Sequence, residues 1–474
     1  MLWTSAEAAR ATSGTNTAEW AARGVSIDSR DIQPGDLFVA LKDVRDGHEF
    51  VAKAFENGAA AALVTHRPEG VSEAAPLLIV DDVLRGLENL GRAARARVKG
   101  KVIGITGSVG KTSTKDMLRV ALQGQGQVHA AHRSLNNHWG VPLTLARMPR
   151  ETEFALIEIG MNHPGEITPL SRLARPDVAL ITTVAAAHMA AFSSVDEIAH
   201  AKAEIFAGLA PGGVAILNAD IETFGILRDA AKAAGAVIHT FGRSQDADFQ
   251  LVTAQPALNA TSVRALLSGE PVLFKLQSAG THFALNALGV LASVIAAGAD
   301  PTLAALDLAY WTPPEGRGAR ALVQLDKTDE ALTLDLIDDA YNANPASLAA
   351  ALEVLAAGRP VNGIGRVGKG RRIAFLTDML ELGANEVELH SEVARYPAMS
   401  DVDIVHCAGP LMKSLHKALP ADQQGEWHAS AEDLAARVRR LVDAGDVAMV
   451  KGSKGSKASL VVDAIRNLGQ AKSS

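Results

Sequence analysis

Apolar residues along this chain gather in short continuous runs. Val102–Thr106, Phe154–Ile159, Val178–Val184 and Val214–Leu217 are such runs, and a stretch of helical periodicity follows each. A strand buried on both faces reads this way, and strands spaced by helices imply a parallel sheet covered on both sides. The rhythm breaks at 248–277, where shorter alternating runs predict antiparallel edge strands. Helices are then predicted at His282–Ala297 and Thr302–Tyr310.

The alternation starts again further on. Leu332–Asp338, Ile373–Thr377, Val402–Cys407 and Val447–Val450 read as strands, with helices near Pro345–Ala357, Glu386–Arg395, Ala431–Ala444 and Lys457–Leu468. Between the two sheets, Trp311-Thr-Pro-Pro-Glu-Gly-Arg317 makes a joint, because Pro-Pro and Gly end helices. The first hundred residues are a smaller α/β unit. It has a strand at Asp36–Leu41, a helix at Phe50–Gly58 and a charged helix at Leu84–Val98, and Val195–Leu209 reads as a further helix of the central region. The expected architecture is α/β in three domains, 1–99, 100–315 and 316–474.

Composition narrows the class. Of 474 residues, 48% are hydrophobic and 21% charged, a balance that buries cores and excludes a disordered polyelectrolyte. With 46 Lys+Arg against 53 Asp+Glu the net charge is −7. That gives no overall pull on nucleic acid or anionic lipid, and leaves room for local phosphate pockets. The single cysteine, Cys407, can close no internal disulfide, which points to a reducing compartment. Met1–Arg10 lacks a basic start followed by an apolar run, so no export signal is expected. The apolar stretch Gly289–Ala299 is too short to span a bilayer. A cytoplasmic location without membrane insertion is expected.

The strongest chemical signal is Gly104-Ile-Thr-Gly-Ser-Val-Gly-Lys-Thr-Ser113, between an apolar strand and a helix. Glycines let backbone N–H groups turn towards phosphates, the helix N-terminus adds partial positive charge and Lys111 a full one. Thr112 puts a hydroxyl where Mg²⁺ bridging two phosphates would sit. Ile105 stands where the strict pattern has glycine, so this is a variant loop, read as an ATP site. Gly363-Ile-Gly-Arg-Val-Gly368 matches the dinucleotide fingerprint in letters but follows a helix and precedes a strand, so it reads as an exposed mobile loop. Lys451–Lys457 reads either as an anion cradle or as a basic turn.

Ligands in open α/β sheets lie past the carboxyl ends of the strands. Glu158 ends one buried strand, where an acid must be paired or metal-bound, and it reads as a Mg²⁺ or water ligand. His188 lies beyond another strand and could coordinate metal, and Lys202 sits within a helix. Spacing alone promotes neither of them. Asp338-Asp-Ala-Tyr-Asn-Ala-Asn-Pro345 ends a strand of the last region as a polar cluster, in which Asn344 either caps the next helix or serves the site.

Taken together, these segments resemble the Mur ligases of peptidoglycan precursor synthesis. The likeness runs through Asp28-Ser-Arg30, Pro34–Lys42, Asp46-Gly-His-Glu-Phe50, Gly104–Thr114, Ser134-Leu-Asn-Asn-His-Trp-Gly-Val-Pro142, Glu158–Ile167, Asp338–Pro345 and Thr377–Gly383 with His390. Asn162-His-Pro-Gly-Glu166 and Tyr341-Asn-Ala-Asn-Pro345 point to the family branch that adds D-alanyl-D-alanine to UDP-N-acetylmuramoyl (UDP-MurNAc) tripeptide. Val109 departs from a frequent asparagine, and Gly452–Lys457 is a loose match to the family's segment there.

The resemblance implies a UDP-substrate domain, a central P-loop mononucleotide-binding domain and a Rossmann-like C-terminal domain. It implies ATP contacts at Gly107, Ser108, Val109, Gly110, Lys111, Thr112, Ser113, Asn286, Arg317, Asp339 and Asn342. By the same likeness Ser29, Arg30, Asp46 and His48 fall at the uridine-nucleotide end, and Asn136 and Asn137 at the muramyl-peptide side. Thr112, Glu158, His188 and Lys202 match metal ligands for two Mg²⁺ ions, and Lys202 matches a lysine carboxylated by CO₂. Lys111, His188 and Lys202 would carry the catalysis. The implied substrates are ATP, UDP-MurNAc-tripeptide and D-Ala-D-Ala, handled by a monomer, with an acyl phosphate between them. The rival expectations are a sibling ligase adding another residue, a folylpolyglutamate-type synthetase, and a P-loop switch that makes no bond.

Overall fold

The computed structural model describes residues 1–187, 189–257 and 259–473, the last four without side chains. Besides a short two-stranded pair, Trp3–Thr4 with Ala21–Ala22, three larger sheets follow one another along the chain. The first has five strands in the order Thr15–Asn16, Leu77–Ile79, Ala61–Val64, Asp36–Val39 and Gly24–Ser26, parallel except for the outermost Thr15–Asn16. The helix Val83–Arg97 leaves this sheet. Asp82 caps it by accepting from the Arg85 amide at 2.7 Å, and Arg95 and Arg97 complement the dipole in its last turn. Val83, Leu87, Leu90 and Ala94 form its buried face.

The second sheet has nine strands, Glu270–Leu276, Ala260–Leu267, Phe249–Ala257, Val237–Gly242, Val214–Asn218, Val178–Ile181, Lys101–Thr106, Phe154–Glu158 and Val128–Ala130. The last seven are parallel. Phe249–Ala257 thus departs from the expected antiparallel edge by extending the parallel sheet, and Ala260–Leu267 and Glu270–Leu276 follow it by antiparallel pairing. Alternate residues feed two cores. Ile103, Ile105, Leu156, Leu180 and Ile216 face the helices Lys111–Leu122 and Thr281–Ala296. Val102, Ala155, Ile157, Ala179 and Leu217 face the helices Gly140–Ala146, Ile167–Ala174 and Val195–Ala203. Continuous apolar runs are what this two-sided burial demands. No helix among the described residues is long and apolar enough to cross a membrane.

The third sheet runs Gln424–His428, Ile404–Ala408, Arg372–Thr377, Val447–Lys451, Thr333–Asp339, Ala319–Gln324 and Gln470–Ser473, parallel except for Ala319–Gln324, which is antiparallel to both its neighbours. Its helix Pro345–Ala356 opens on a capping box: Asn344 Oδ1 accepts from the Ser347 amide at 2.9 Å, with Pro345 at the first position.

Several elements depart from the sequence reading. The strand at 178 stops at Ile181, because Thr182 turns its hydroxyl to the carbonyl of Val109 at 2.6 Å and joins the glycine loop. The helix from Val195 gives way at Ala203 to a tighter turn, Glu204–Gly208. The last helix starts at Ser459, after Lys457 takes a left-handed conformation. The Gly363–Gly370 loop is fastened. The Val367 amide donates to Asp443 Oδ2 at 2.6 Å, Arg366 reaches Asp443 Oδ1 at 3.3 Å, and the Gly370 amide donates to Asn362 at 3.0 Å. It leads into the strand Arg372–Thr377, so it opens no helix and makes no dinucleotide turn.

The first unit is bolted to the second. The Trp3 indole N–H donates to the Ala146 carbonyl at 2.8 Å, and Arg147 donates to the Val25 carbonyl at 2.5 Å. Arg95 donates to the Ala174 and Arg175 carbonyls, both at 2.9 Å. Arg466 ties the joint to the third sheet by pairing with Asp338 at 3.0 Å and with Glu315.

Candidate active site

The strand Lys101–Thr106 ends in the glycine loop, and the helix Lys111–Leu122 begins at its far side. A Cβ on Gly107 would overlap the Thr182 hydroxyl. Gly110 is left-handed at φ 86°, with the amide of Asn286 against it. Both positions therefore need glycine. Lys111 Nζ curls back onto the Gly107 carbonyl at 2.5 Å. Burial, with Arg317 nearby, pulls its pKa down to about 8, against the attraction of Glu158.

Glu158 ends the neighbouring strand, 3% exposed and surrounded by donors. Thr112 Oγ1 lies 3.1 Å from both its oxygens, Ser134 Oγ 2.6 Å and Asn136 Nδ2 2.8 Å from Oε1, and Lys115 Nζ 3.2 Å from Oε2. Burial raises its pKa, but Lys115, Ser134 and Lys111 outweigh that, so it stays charged below the ordinary carboxylate range. The structure thus makes Glu158 an ion-pair partner as well as a neighbour of the loop threonine. Sequence reasoning passed over Lys115, although one helical turn from Lys111 puts the two on the same face.

Lys202 is 1% exposed. Burial and the charge of Lys111 hold its pKa well below the usual lysine range, so the amine is poised to be neutral. The turn that follows its helix is tied to the segment Gly165–Thr168 through Glu204, which accepts from the Gly165 amide at 2.6 Å and the Thr168 amide at 2.9 Å. His188 lies outside the described residues.

The third unit brings its own charges to the same place. Lys451, nearly fully buried at the end of its strand, pairs with Asp339 at 2.7 Å and donates to the Asn342 carbonyl at 3.0 Å. Burial raises the pKa of Asp339 against that attraction. The basic segment 451–457 is therefore largely spent within the fold, with Lys457 on Glu432 at 2.7 Å and Ser456 on Thr377 at 2.5 Å. Arg317 reaches in from the joint and lies over the ring of Tyr341. His282 has a buried Nδ1 without a partner among the described residues, and burial with Lys451 nearby pushes its pKa down to about 4.

A cavity of about 1030 Å³ joins these groups. It is lined by Ser108–Ser113, Asn136, Asn137, Glu158, Asn286, Arg317, Asp339 and Asn342 among the expected residues. Tyr341, His282 and Glu88, which sequence reasoning did not select, line it too. Gly107 shapes the loop from behind, and Lys202 lies deeper than the cavity wall. Ser29, Arg30, Asp46 and His48 do not line it. They stay in the first unit, where Arg30 pairs with Asp28 at 2.7 Å and Asp46 Oδ1 holds His48 Nδ1 at 2.6 Å. His48 Nε2 accepts from the Thr65 amide at 3.0 Å. Among the described residues no three His, Cys, Asp or Glu side chains form a metal cage. The Thr112 hydroxyl beside the Glu158 carboxylate is instead the sparse oxygen donor set that suits Mg²⁺ shared with phosphates.

Comparison with known proteins agrees along most of the chain. Residues 22–97 match the model of the Mur ligase family catalytic domain, 105–294 the Mur ligase middle domain, and 326–454 the Mur ligase glutamate ligase domain. The chain is 32% identical to UDP-N-acetylmuramoyl-tripeptide–D-alanyl-D-alanine ligase of Rickettsia prowazekii, over 93% of this chain and 94% of that one. It is 35% identical to the ligase of the same name from Bacillus subtilis, over 93% and 92%. Its fold matches the crystal structure of MurF from Acinetobacter baumannii with a TM-score of 0.82 at 27% identity, covering 98% of this chain and 99% of that one.

Proposed function

The chain belongs to the Mur ligase family, and from that premise we propose that it is the ATP-dependent, ADP-forming ligase that joins D-alanyl-D-alanine to UDP-MurNAc-tripeptide in peptidoglycan precursor synthesis. The observation that carries this reading is the cavity where the glycine loop, Glu158 and the third unit's Arg317, Asp339 and Asn342 meet. Such a site can hold a nucleotide between two units and close around a second substrate.

A peptide carboxylate is a poor electrophile, so it must first be activated. In the proposed scheme a carboxylate oxygen of the tripeptide attacks the γ-phosphorus. The bond to the β,γ-bridging oxygen breaks, and an acyl phosphate and ADP form. The amine of the dipeptide then attacks the acyl carbon, phosphate leaves with its electron pair, and the amine's proton is lost. The loop amides from Ser108 to Thr112 hold the phosphates, and Lys111 exchanges the Gly107 carbonyl for a phosphoryl oxygen as charge shifts during transfer. Arg317 adds a second cation from the joint, so that the flanking units close over an intermediate that water would destroy.

Thr112 and Glu158 fit a Mg²⁺ ion, with His188 and Lys202 as candidates for a second, and the metal when bound supplies charge neutralisation of the phosphates. We read Lys202 as a carboxylation site: a buried amine with a depressed pKa is a nucleophile for CO₂, losing a proton to give an anionic carbamate. Ser29 and Arg30 are read as contacts of the uridine nucleotide, with Asp46 and His48 shaping the loop beside them. Domain boundaries at 99/100 and 315/316 are supported by the linker residues between the sheets, and the reading has a monomer in the cytoplasm acting on small molecules.

The test is mass spectrometry of the product formed from ATP, UDP-MurNAc-tripeptide and D-Ala-D-Ala. A UDP-MurNAc-pentapeptide with stoichiometric ADP is expected. ADP release indifferent to the dipeptide, or ligation only of another amine, would refute the reading.

A further inference from the structure

The cavity continues past the glycine loop to a second end formed by the Gly160–Glu166 loop, Asn137, His138 and one residue of the first unit, Glu88. Charge is distributed unevenly along it. The lysines and arginine of its lining, Lys111, Arg317 and Lys451, all lie at the nucleotide end. At the other end the loop is braced from within, Glu166 accepting from the Asn162 amide at 2.7 Å and from His163 at 3.1 Å. Glu204 braces it from outside. Those carboxylates are spent.

Glu88 is different. It stands half-buried on the helix Val83–Arg97 and makes no hydrogen bond or ion pair with any described residue. Arg92, one turn along, is engaged with Asn89 instead. A lone carboxylate facing a partly desolvated cavity, with no lining lysine or arginine at its end, is complementary to a ligand cation.

We propose that Glu88 pairs with the side-chain ammonium of the third residue of the peptide, and that this contact makes the enzyme select peptides carrying a second amine there. The inference rests on the ligase reading above, which brings the third residue's carboxyl group up to the γ-phosphate held by Lys111, so that its side chain must leave along the cavity. Lysine and diaminopimelate both carry such an ammonium, and a side chain ending in a neutral amide does not.

The experiment compares UDP-MurNAc-tripeptide, carrying whichever of lysine or diaminopimelate is joined faster, with the same peptide N-acetylated on the side-chain amine. It is run on the wild type and on Glu88→Gln. For the wild type, acetylation should lower kcat/KM on the order of tenfold, the worth of one charge-assisted hydrogen bond in a partly buried site. For Glu88→Gln the two peptides should differ by about twofold or less, with KM for ATP unchanged. Because each ratio is internal to one protein, a smaller folded fraction in the variant cancels. Equal discrimination by both proteins, or none by the wild type, overturns the inference and leaves the ligase reading standing. A wild type that joins the dipeptide to neither peptide overturns that reading first.

Discussion

The guanidinium carbon of Arg317 lies 4.1 Å above the centre of the Tyr341 ring. The two residues come from the interdomain joint and from the end of a strand in the third sheet, and the backbone locks them together: the Tyr341 amide donates to the Gly316 carbonyl at 3.0 Å, and the Gly318 amide to Asp338 at 2.8 Å. The cation–π contact holds the guanidinium beside the cavity that both residues line.

Removing the ring should therefore weaken nucleotide binding without unfolding the joint. Tyr341→Ala is expected to raise KM for ATP about fivefold, which corresponds to about 1 kcal/mol of lost cation–π contact. Tyr341→Phe should behave as the wild type. Steady-state kinetics with ATP varied separates these outcomes, and an alanine variant with unchanged KM would refute the role.

In the proposed role, in which Lys111 holds the phosphates, nucleotide binding is pH-linked. With a pKa near 8 in the free enzyme, the amine is mostly charged at neutral pH and mostly neutral about one unit above 8. Bound phosphates favour the charged form and raise that pKa. Binding of ADP should take up close to one proton at about pH 9 and far less at about pH 7. Calorimetry in buffers of different ionisation enthalpy reads this directly, and an identical proton count at both pH values would contradict it.

Lys115 and Glu158 form a buried pair, and breaking it leaves a charge without its main partner. Lys115→Met is expected to cost about 3 kcal/mol of stability near neutral pH. The sign of its pH dependence follows from Glu158, whose folded pKa is depressed. The stabilisation it brings is present above the unfolded carboxylate value and is lost as pH falls through the folded value. The deficit of the variant should therefore shrink on acidification. Denaturant melts at neutral and at acid pH measure it, and a deficit independent of pH would count against the pairing.

Much of the fold was legible because burial on both faces leaves a plain mark. The runs at Val102, Phe154, Val178 and Val214 became neighbouring parallel strands. Shorter or edge elements left weaker marks: Ala319–Gln324 and Gln424–His428 carry exposed and half-exposed residues that read as loop. The glycine loop and Glu158 could be picked out because strand ends and Gly-Lys-Thr have fixed chemistry. Tyr341, His282 and Glu88 could not, since each acquires its place only when separate units meet around one cavity. Lys202 showed the opposite failure. Its spacing promotes no role, and only packing reveals it as a buried amine.

That buried amine gives a further expectation. In ¹³C-labelled bicarbonate the wild type should show a lysyl carbamate resonance that Lys202→Arg lacks, and that fades as the solution is acidified and the amine is reprotonated. A wild-type spectrum without such a signal would mean that the lysine serves as an amine.

The central claim is that this pocket turns an inert carboxylate into an acylating group. The direct measurement is hydroxylamine trapping with ATP and UDP-MurNAc-tripeptide, leaving out the dipeptide. A peptidyl hydroxamate formed one for one with ADP is predicted, and it should be lost in Lys111→Ala although that variant still binds the UDP substrate. Dipeptide ligation that proceeds with no hydroxamate under any condition, or undiminished turnover in Lys111→Ala, would contradict the account.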